Sequence, residues 1–155
     1  MHILGTVDLT GGPVTWNGGN DILLHSRTGN LVIDQDFIRS AGTAGDGTLT
    51  LKASGAITST GTRTISVATS GASGKLHTIL WSDANNDQSG YISLTNTAIT
   101  SNGGDVILGG GVDNGADILA ATDGATLLYD GIAGDGRPDG YAWGNGASTS
   151  GVRLT

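Results

Sequence analysis

Residues 49–61 read Leu49-Thr50-Leu51-Lys52-Ala53-Ser54-Gly55-Ala56-Ile57-Thr58-Ser59-Thr60-Gly61, and the punctuation of that stretch decides the fold. Apolar and polar residues alternate in Leu49-Thr50-Leu51, the period of a strand with one covered face. A Ser-Gly pair interrupts the run, a single Ile57 follows, and Gly61 closes it before Ile65-Ser66-Val67 resumes the alternation. Outward from there the same texture recurs in Ile22 to Leu24, Leu31 to Ile33, Leu76 to Trp81, Tyr91 to Leu94, Val106 to Leu108 and Thr126 to Tyr129. From Leu49 onward the runs open in turn at Ile65, Leu76, Tyr91 and Val106, with Ile57 and Ile99 as minor strands between them.

The stretch also returns. Ala56-Ile57-Thr58-Ser59-Thr60-Gly61 reappears as Ala98-Ile99-Thr100-Ser101-Asn102-Gly103. Gly18-Gly19-Asn20-Asp21-Ile22-Leu23-Leu24 is echoed, at about twice that offset, by Gly103-Gly104-Asp105-Val106-Ile107-Leu108. The offset from Ala56 to Ala98 reads as two coils of about 21 residues each, within the range of solenoid repeats. A β-sandwich also has many short strands, but hairpin signals are scarce here and the repeat is direct. The expected fold is therefore all-β, a right-handed parallel β-helix. Residues 1–112 form its coils, and residues 113–151 are a Gly/Asp-rich excursion. Residues 152–155 begin a further coil at which the chain is expected to be truncated. The expected core is Leu49, Leu51, Ile65, Val67, Ile79, Trp81, Ile92, Leu94, Ile107 and Leu154, with Thr50 and Ser66 outward.

Composition supports this reading. The 155 residues include 28 glycines and 2 prolines, and all 14 acidic residues are aspartate. Good helix formers other than Ala and Leu are nearly missing, while Thr, Val, Ile, Asn and Gly abound. The net charge of −7 argues against nucleic acid, because the seven basic residues are scattered singly and cannot replace phosphate counterions. The start, Met1-His2-Ile3-Leu4-Gly5-Thr6, is not a signal peptide, and no apolar run is long enough to insert in a membrane. The absence of cysteine fits a secreted bacterial chain that depends on stacking instead of disulfides.

The segment Ile79 to Ile92, with Trp81-Ser82-Asp83-Ala84-Asn85-Asn86-Asp87 at its centre, continues through Ala98 to Gly111. Together with Asp139-Gly140-Tyr141-Ala142 and Gly151-Val152-Arg153-Leu154, it resembles repeat regions of filamentous haemagglutinin-type bacterial exoproteins. That resemblance covers residues 47–155. It implies a giant secreted adhesin built on right-handed parallel β-helices, often exported by two-partner secretion, and an extracellular or cell-surface location. The Asn-Pro-Asn-Gly type motif of that family's secretion domain does not occur in this sequence.

Candidate chemistry centres on Asp83-x-Asn85-x-Asp87-x-Ser89-Gly90. Oxygen side chains at alternate positions of a tight loop can converge on Ca²⁺, as in the first half of an EF-hand loop. Gln88 stands where such a loop needs glycine, and Leu94 where it needs its bidentate glutamate. The competing reading is an Asx-rich turn whose side chains cap the backbone. Gly134 to Gly140, with Asp135 and Asp139, is a weaker metal candidate. Asp34 and Asp36 would share one strand face without basic or aromatic partners, and His25 and His77 read as coil-edge residues, so no enzyme is expected. Trp81 and Tyr91 flank the acidic loop as platforms for a sugar, which keeps a carbohydrate-binding or carbohydrate-cleaving β-helix as the alternative. The expected role is a structural and adhesive spacer that needs no cofactor, calcium being the one candidate. Its expected partners are a host or surface glycan or protein, and further copies joined end to end, because a cut solenoid exposes unpaired backbone.

Overall fold

The computed structural model describes residues 2–3, 7–8, 11–17, 21–40, 45–67, 74–87, 89–111, 138 and 152–154. Fourteen strands and no helix lie among them. In chain order the strands are β1 (His2–Ile3), β2 (Val7–Asp8), β3 (Val14–Trp16), β4 (Ile22–Ser26), β5 (Leu31–Ile33), β6 (Phe37–Arg39) and β7 (Gly47–Ala53). They continue as β8 (Ile57–Ser59), β9 (Arg63–Val67), β10 (Leu76–Ser82), β11 (Ile92–Leu94), β12 (Thr97–Thr100), β13 (Val106–Gly110) and β14 (Val152–Leu154).

Three parallel sheets hold them. The first runs β1-β4-β7-β10-β13, the second β2-β5-β8-β11-β14, and the third β3-β6-β9-β12. Each strand lies against the strands three places before and after it, so the chain visits the sheets in rotation. One circuit is a visit to all three. The arrangement is compatible with a parallel β-helix.

The period of the circuit differs from the sequence reading. In the first sheet Ile22, Leu49, Thr78 and Val106 occupy one column, at nearly even steps along the chain. The echo of Asp21-Ile22 at Asp105-Val106 is therefore real, but it spans three circuits of about 28 residues instead of four of about 21, both lengths being ordinary for solenoids. The return of Ala56-Ile57 at Ala98-Ile99 is not structural: Ile57 pairs with Ile92 in the second sheet, while Ile99 pairs with Ile65 in the third. Similar turn chemistry recurs at any strand entry, so a local likeness need not mark stacked positions.

Apart from Thr126 to Tyr129, the alternating runs proved to be strands, and Ile57 and Ile99 do head or sit within short ones. The short strands β3 and β6 escaped the sequence reading. Thr126 to Tyr129 and the whole of residues 113–151 except Pro138 lie outside the described residues, as do the side chains of Val67 and Leu154.

Alternation sets what is buried. In β7 the odd positions Leu49, Leu51 and Ala53 are fully excluded from solvent while Thr48, Thr50 and Lys52 are half-buried. Leu31, Ile33, Phe37, Leu49, Leu51, Ile57, Ile65, Leu76, Leu80 and Ile92 form one continuous core between the sheets. Ile79 and Trp81 are buried as expected, but on the other face. They stand in register with Thr50 and Lys52, the outward residues of β7, and do not belong to the core cluster. Ile107, in the same column as Ile79, is half-buried. Lys52 Nζ lies 3.2 Å from the centroid of the Trp81 ring, and the indole N–H donates to Gly111 O at 2.6 Å. These contacts are what cover that aromatic ring on the outer face.

Where circuits turn, backbone comes close to backbone. A Cβ on Gly74 would stand 1.8 Å from Gly45 O, and the buried Arg39 guanidinium donates to Gly45 O and to Lys75 O. Arg39 thus satisfies carbonyls of two successive corners, which is how a charged side chain is accommodated at 1% exposure.

One core position departs from the pattern. Thr78 is fully buried between apolar neighbours in its column, and its hydroxyl has no hydrogen-bond partner among the described residues. Thr78→Val should therefore stabilise the fold by about 1 kcal/mol, since it keeps the shape and removes a desolvated hydroxyl. Leu51→Ala at the fully buried position in β7 should cost about 2–5 kcal/mol. Urea unfolding of both variants against the parent measures each; a destabilised Thr78→Val would mean that the hydroxyl is satisfied after all.

Candidate functional site

Sheet geometry places the acidic loop. β10 ends at Ser82 in the first sheet, β11 begins at Ile92 in the second, and residues 83–91 make the corner between them. Two backbone bonds tie this corner to the circuit below: Asp83 N–H donates to Gly55 O at 3.2 Å and Ala84 N–H to Ala53 O at 3.0 Å. Asn86 N–H then donates to Asp83 O at 2.8 Å and closes a turn. Asp83 and Asn86 both take positive φ, 51° and 56°. Asp and Asn are the non-glycine residues that tolerate this region best. Gly90 is required for a different reason: a Cβ there would lie 2.3 Å from Asp83 N.

The structure brings Asp83, Asn85, Asp87 and Ser89 together in one network. Asp83 Oδ1 accepts Asp87 N–H at 3.0 Å. Asp87 Oδ1 accepts the backbone N–H of Ser89 at 3.1 Å and also its hydroxyl, while Asp87 Oδ2 accepts Asn85 Nδ2–H at 2.8 Å. Asp83 is fully buried, and its Oδ2 has no hydrogen-bond partner among the described residues. Burial, reinforced by the neighbouring Asp87 carboxylate, pushes the Asp83 carboxyl up to about 6. The donors Ser89 and Asn85 hold Asp87 below the usual carboxylate range. At neutral pH the pair thus sets one well-satisfied, exposed carboxylate beside one buried and half-satisfied.

This arrangement can exchange a proton, and it can hold a turn shut. A cation would have to compete with Ser89 and Asn85 for both oxygens of Asp87. Among the described residues no group of three or more His or Asp side chains is placed to hold a metal ion. The Gly134 to Gly140 candidate lies, Pro138 apart, outside them.

Of the other candidates, Asp36 and His77 make contacts between circuits. Asp36 Oδ1 accepts Thr64 N–H at 2.8 Å, one circuit further on. Asp21 does the same for Thr48 N–H at 2.7 Å, Asp46 for Lys75 N–H at 2.8 Å, and Asn30 for Ala56 N–H at 2.9 Å. These short side chains reach from one circuit to a corner amide of the next. Nothing in the alternation pattern flagged them; the available signal was an Asp or Asn one or a few residues before a strand. His77, half-buried, lies between one of these residues, Asp46, and Asp105. Its Nδ1 accepts Asp105 N–H at 3.1 Å and lies 3.2 Å from Asp105 Oδ2, and its Nε2 is 4.0 Å from Asp46 Oδ2. The shallow sugar site framed by Trp81 and Tyr91 is not what the geometry offers: Trp81 is 4% exposed, with Lys52 over its ring.

No protein-family model, curated protein or solved structure matches the chain. Among the described residues no helix is long and apolar enough to cross a membrane.

The two carboxyls respond to pH with opposite signs. Asp83 binds its proton more tightly in the folded chain, about 6 against an ordinary 3.8, so its protonation favours folding. That contribution is full below the ordinary value and is lost as pH rises through about 6. For Asp87 the contribution is present above the ordinary value and lost as pH falls below it. Asp83→Asn keeps the Oδ1 acceptor and removes the buried charge. It should melt higher than the parent near pH 7, and the difference should shrink towards about pH 5. A difference independent of pH would mean that Asp83 is not held as the geometry implies. Because the oxygens of Asp87 already have donors, added calcium should leave the melting temperature unchanged. A rise with calcium that Asp87→Ala abolishes would restore the cation reading.

Proposed function

We propose that this chain is a structural segment. In this reading its circuits are the coils of a right-handed parallel β-helix, acting as a rigid spacer and adhesive surface within a secreted or cell-surface bacterial protein of filamentous haemagglutinin type. The observation that carries the reading is that, among the described residues, each strand from β1 to β11 pairs with the strand three places on, always parallel. Such a stack grows by repetition and transmits length, which is what a spacer requires. The right hand follows from the strong preference of parallel crossovers for that sense. The resemblance of residues 47–155 to adhesin repeats, the acidic balance and the lack of cysteine support a location outside the cell. The carbohydrate alternative gains no support from a covered Trp81 or from an Asp36 engaged with the next circuit.

Residues 47–75 make one full circuit, since Gly47 stands in register with Leu76. Inserting a second copy of them after Lys75 should give a folded protein with one more circuit, longer by about 4.8 Å along the stack. Small-angle scattering and circular dichroism read both properties. A chain that unfolds, or that widens without lengthening, would contradict a stack that extends by repetition.

A further inference from the structure

His77 lies on the outer face of the first sheet, in register with Thr48, and carboxylates from two other circuits flank its ring. Asp46 belongs to the preceding circuit, immediately before Gly47, the partner of Leu76. Asp105 belongs to the following one, immediately before Val106, the partner of Thr78. Asp105 Oδ2 is 3.2 Å from Nδ1, and Asp46 Oδ2 is 4.0 Å from Nε2. The His77 side chain keeps 26% of its surface in contact with water, so protons reach the ring freely.

The neutral ring has no arrangement that serves all its neighbours. A neutral imidazole carries a single N–H. While Nδ1 accepts the Asp105 amide, its lone pair also faces Asp105 Oδ2, two acceptors at hydrogen-bond distance with no proton between them. With the proton on Nδ1 instead, Oδ2 is satisfied, but the amide loses its acceptor and Nε2 turns a lone pair towards Asp46. The imidazolium carries a donor on each nitrogen and answers both carboxylates. The Asp105 amide, at an exposed position, then turns to water. The other charged groups close by among the described residues are Lys75, exposed on the same circuit, and Asp21, whose Oδ1 accepts the N–H of Thr48.

We infer that His77 is a proton-operated clamp: in acid its ring donates to Asp105 on one side and to Asp46 on the other, and so ties three successive circuits together along the outer face of the first sheet. Asp46 is already held in place, because its Oδ1 accepts Lys75 N–H at 2.8 Å. Rotation of the two side chains closes the remaining distance to Nε2. Hydrogen bonds between ionised partners are the stronger kind, and imidazole is the side chain that gains its proton between about pH 8 and pH 5. The protonated ring meets these two partners only in the folded stack. The contribution is therefore present in acid and lost as pH rises. The inference rests on three side chains and not on the adhesin reading.

Melting temperatures across about pH 5 to pH 8 test it, with the wild type set against His77→Gln, Asp46→Asn and Asp105→Asn. Asp83 also favours folding in acid, but every one of these chains keeps it, so its response cancels in the differences. His77→Gln retains an acceptor for the Asp105 amide and has no proton to gain. The wild type should lead it by about 2–4 °C more at the acid end than at the alkaline end, and molar salt should shrink that gain. As pH falls the wild type should also gain on Asp46→Asn and on Asp105→Asn, by less in each case. In nuclear magnetic resonance the Asp105 amide proton should shift in step with protonation of the His77 ring. Should His77→Gln fail to fold, the two aspartate variants and the amide titration decide alone. A lead over His77→Gln that is the same at every pH overturns the inference, because the ring is then only a spacer. So does the absence of any acid gain over either aspartate variant, or an Asp105 amide that ignores the titration of the ring.

Discussion

Everything in this molecule depends on the parallel ladder between circuits. A strand as short as Leu31–Ile33 or Ile57–Ser59 has no stability by itself. It exists because its amides and carbonyls pair with strands on both sides and its inward side chains meet others stacked above and below. The ladder fixes the neighbour spacing at about 4.8 Å, and that spacing then dictates the rest. Core columns must be filled at every level, as Leu31 and Ile57 fill one and Phe37 and Ile65 another.

Corners are where the ladder fails and where the unusual composition is explained. Each corner interrupts the pairing and leaves amide groups that must find acceptors. Asp21, Asn30, Asp36 and Asp46 supply them from the adjacent circuit, at 2.7 to 2.9 Å. An aspartate has the reach to hold a neighbouring amide with few rotatable bonds to immobilise; a glutamate would add one more. A chain whose 14 acidic residues are all aspartate is consistent with that demand. Asp21, Asp36 and Asp46 thus spend their acidity on backbone amides. Arg39 is the cationic counterpart, donating to the corner carbonyls of Gly45 and Lys75.

The alternation of Leu49-Thr50-Leu51 and Ile65-Ser66-Val67 made the strand class and the inward residues legible, because period two is a direct image of the pleat. The period of the circuit was not legible in the same way. Corners vary in length, so in the second sheet the step from Ile57 to Ile92 is much longer than the step from Leu31 to Ile57. Sequence likeness then reflects shared turn chemistry as often as shared position. The faces of Ile79 and Trp81 were misread for a related cause: an apolar residue signals burial but not which side of the sheet it is buried on. Of the candidate site, the coming together of Asp83, Asn85, Asp87 and Ser89 followed from their spacing. The depth of Asp83 did not, because it depends on Ala53 and Gly55 of another circuit.

Corner length varies most between the first sheet and the second. From the second sheet to the third the chain crosses in residues 9–13, 34–36, 60–62 and 95–96. From the first sheet to the second it crosses in residues 27–30 and 54–56, then in 83–91, and then with residues 111–151 intervening. The longer crossing at residues 83–91 leaves the three-sheet register intact. That corner is the natural position for grafting a foreign peptide, because the ladder on either side of it holds without the loop's own residues.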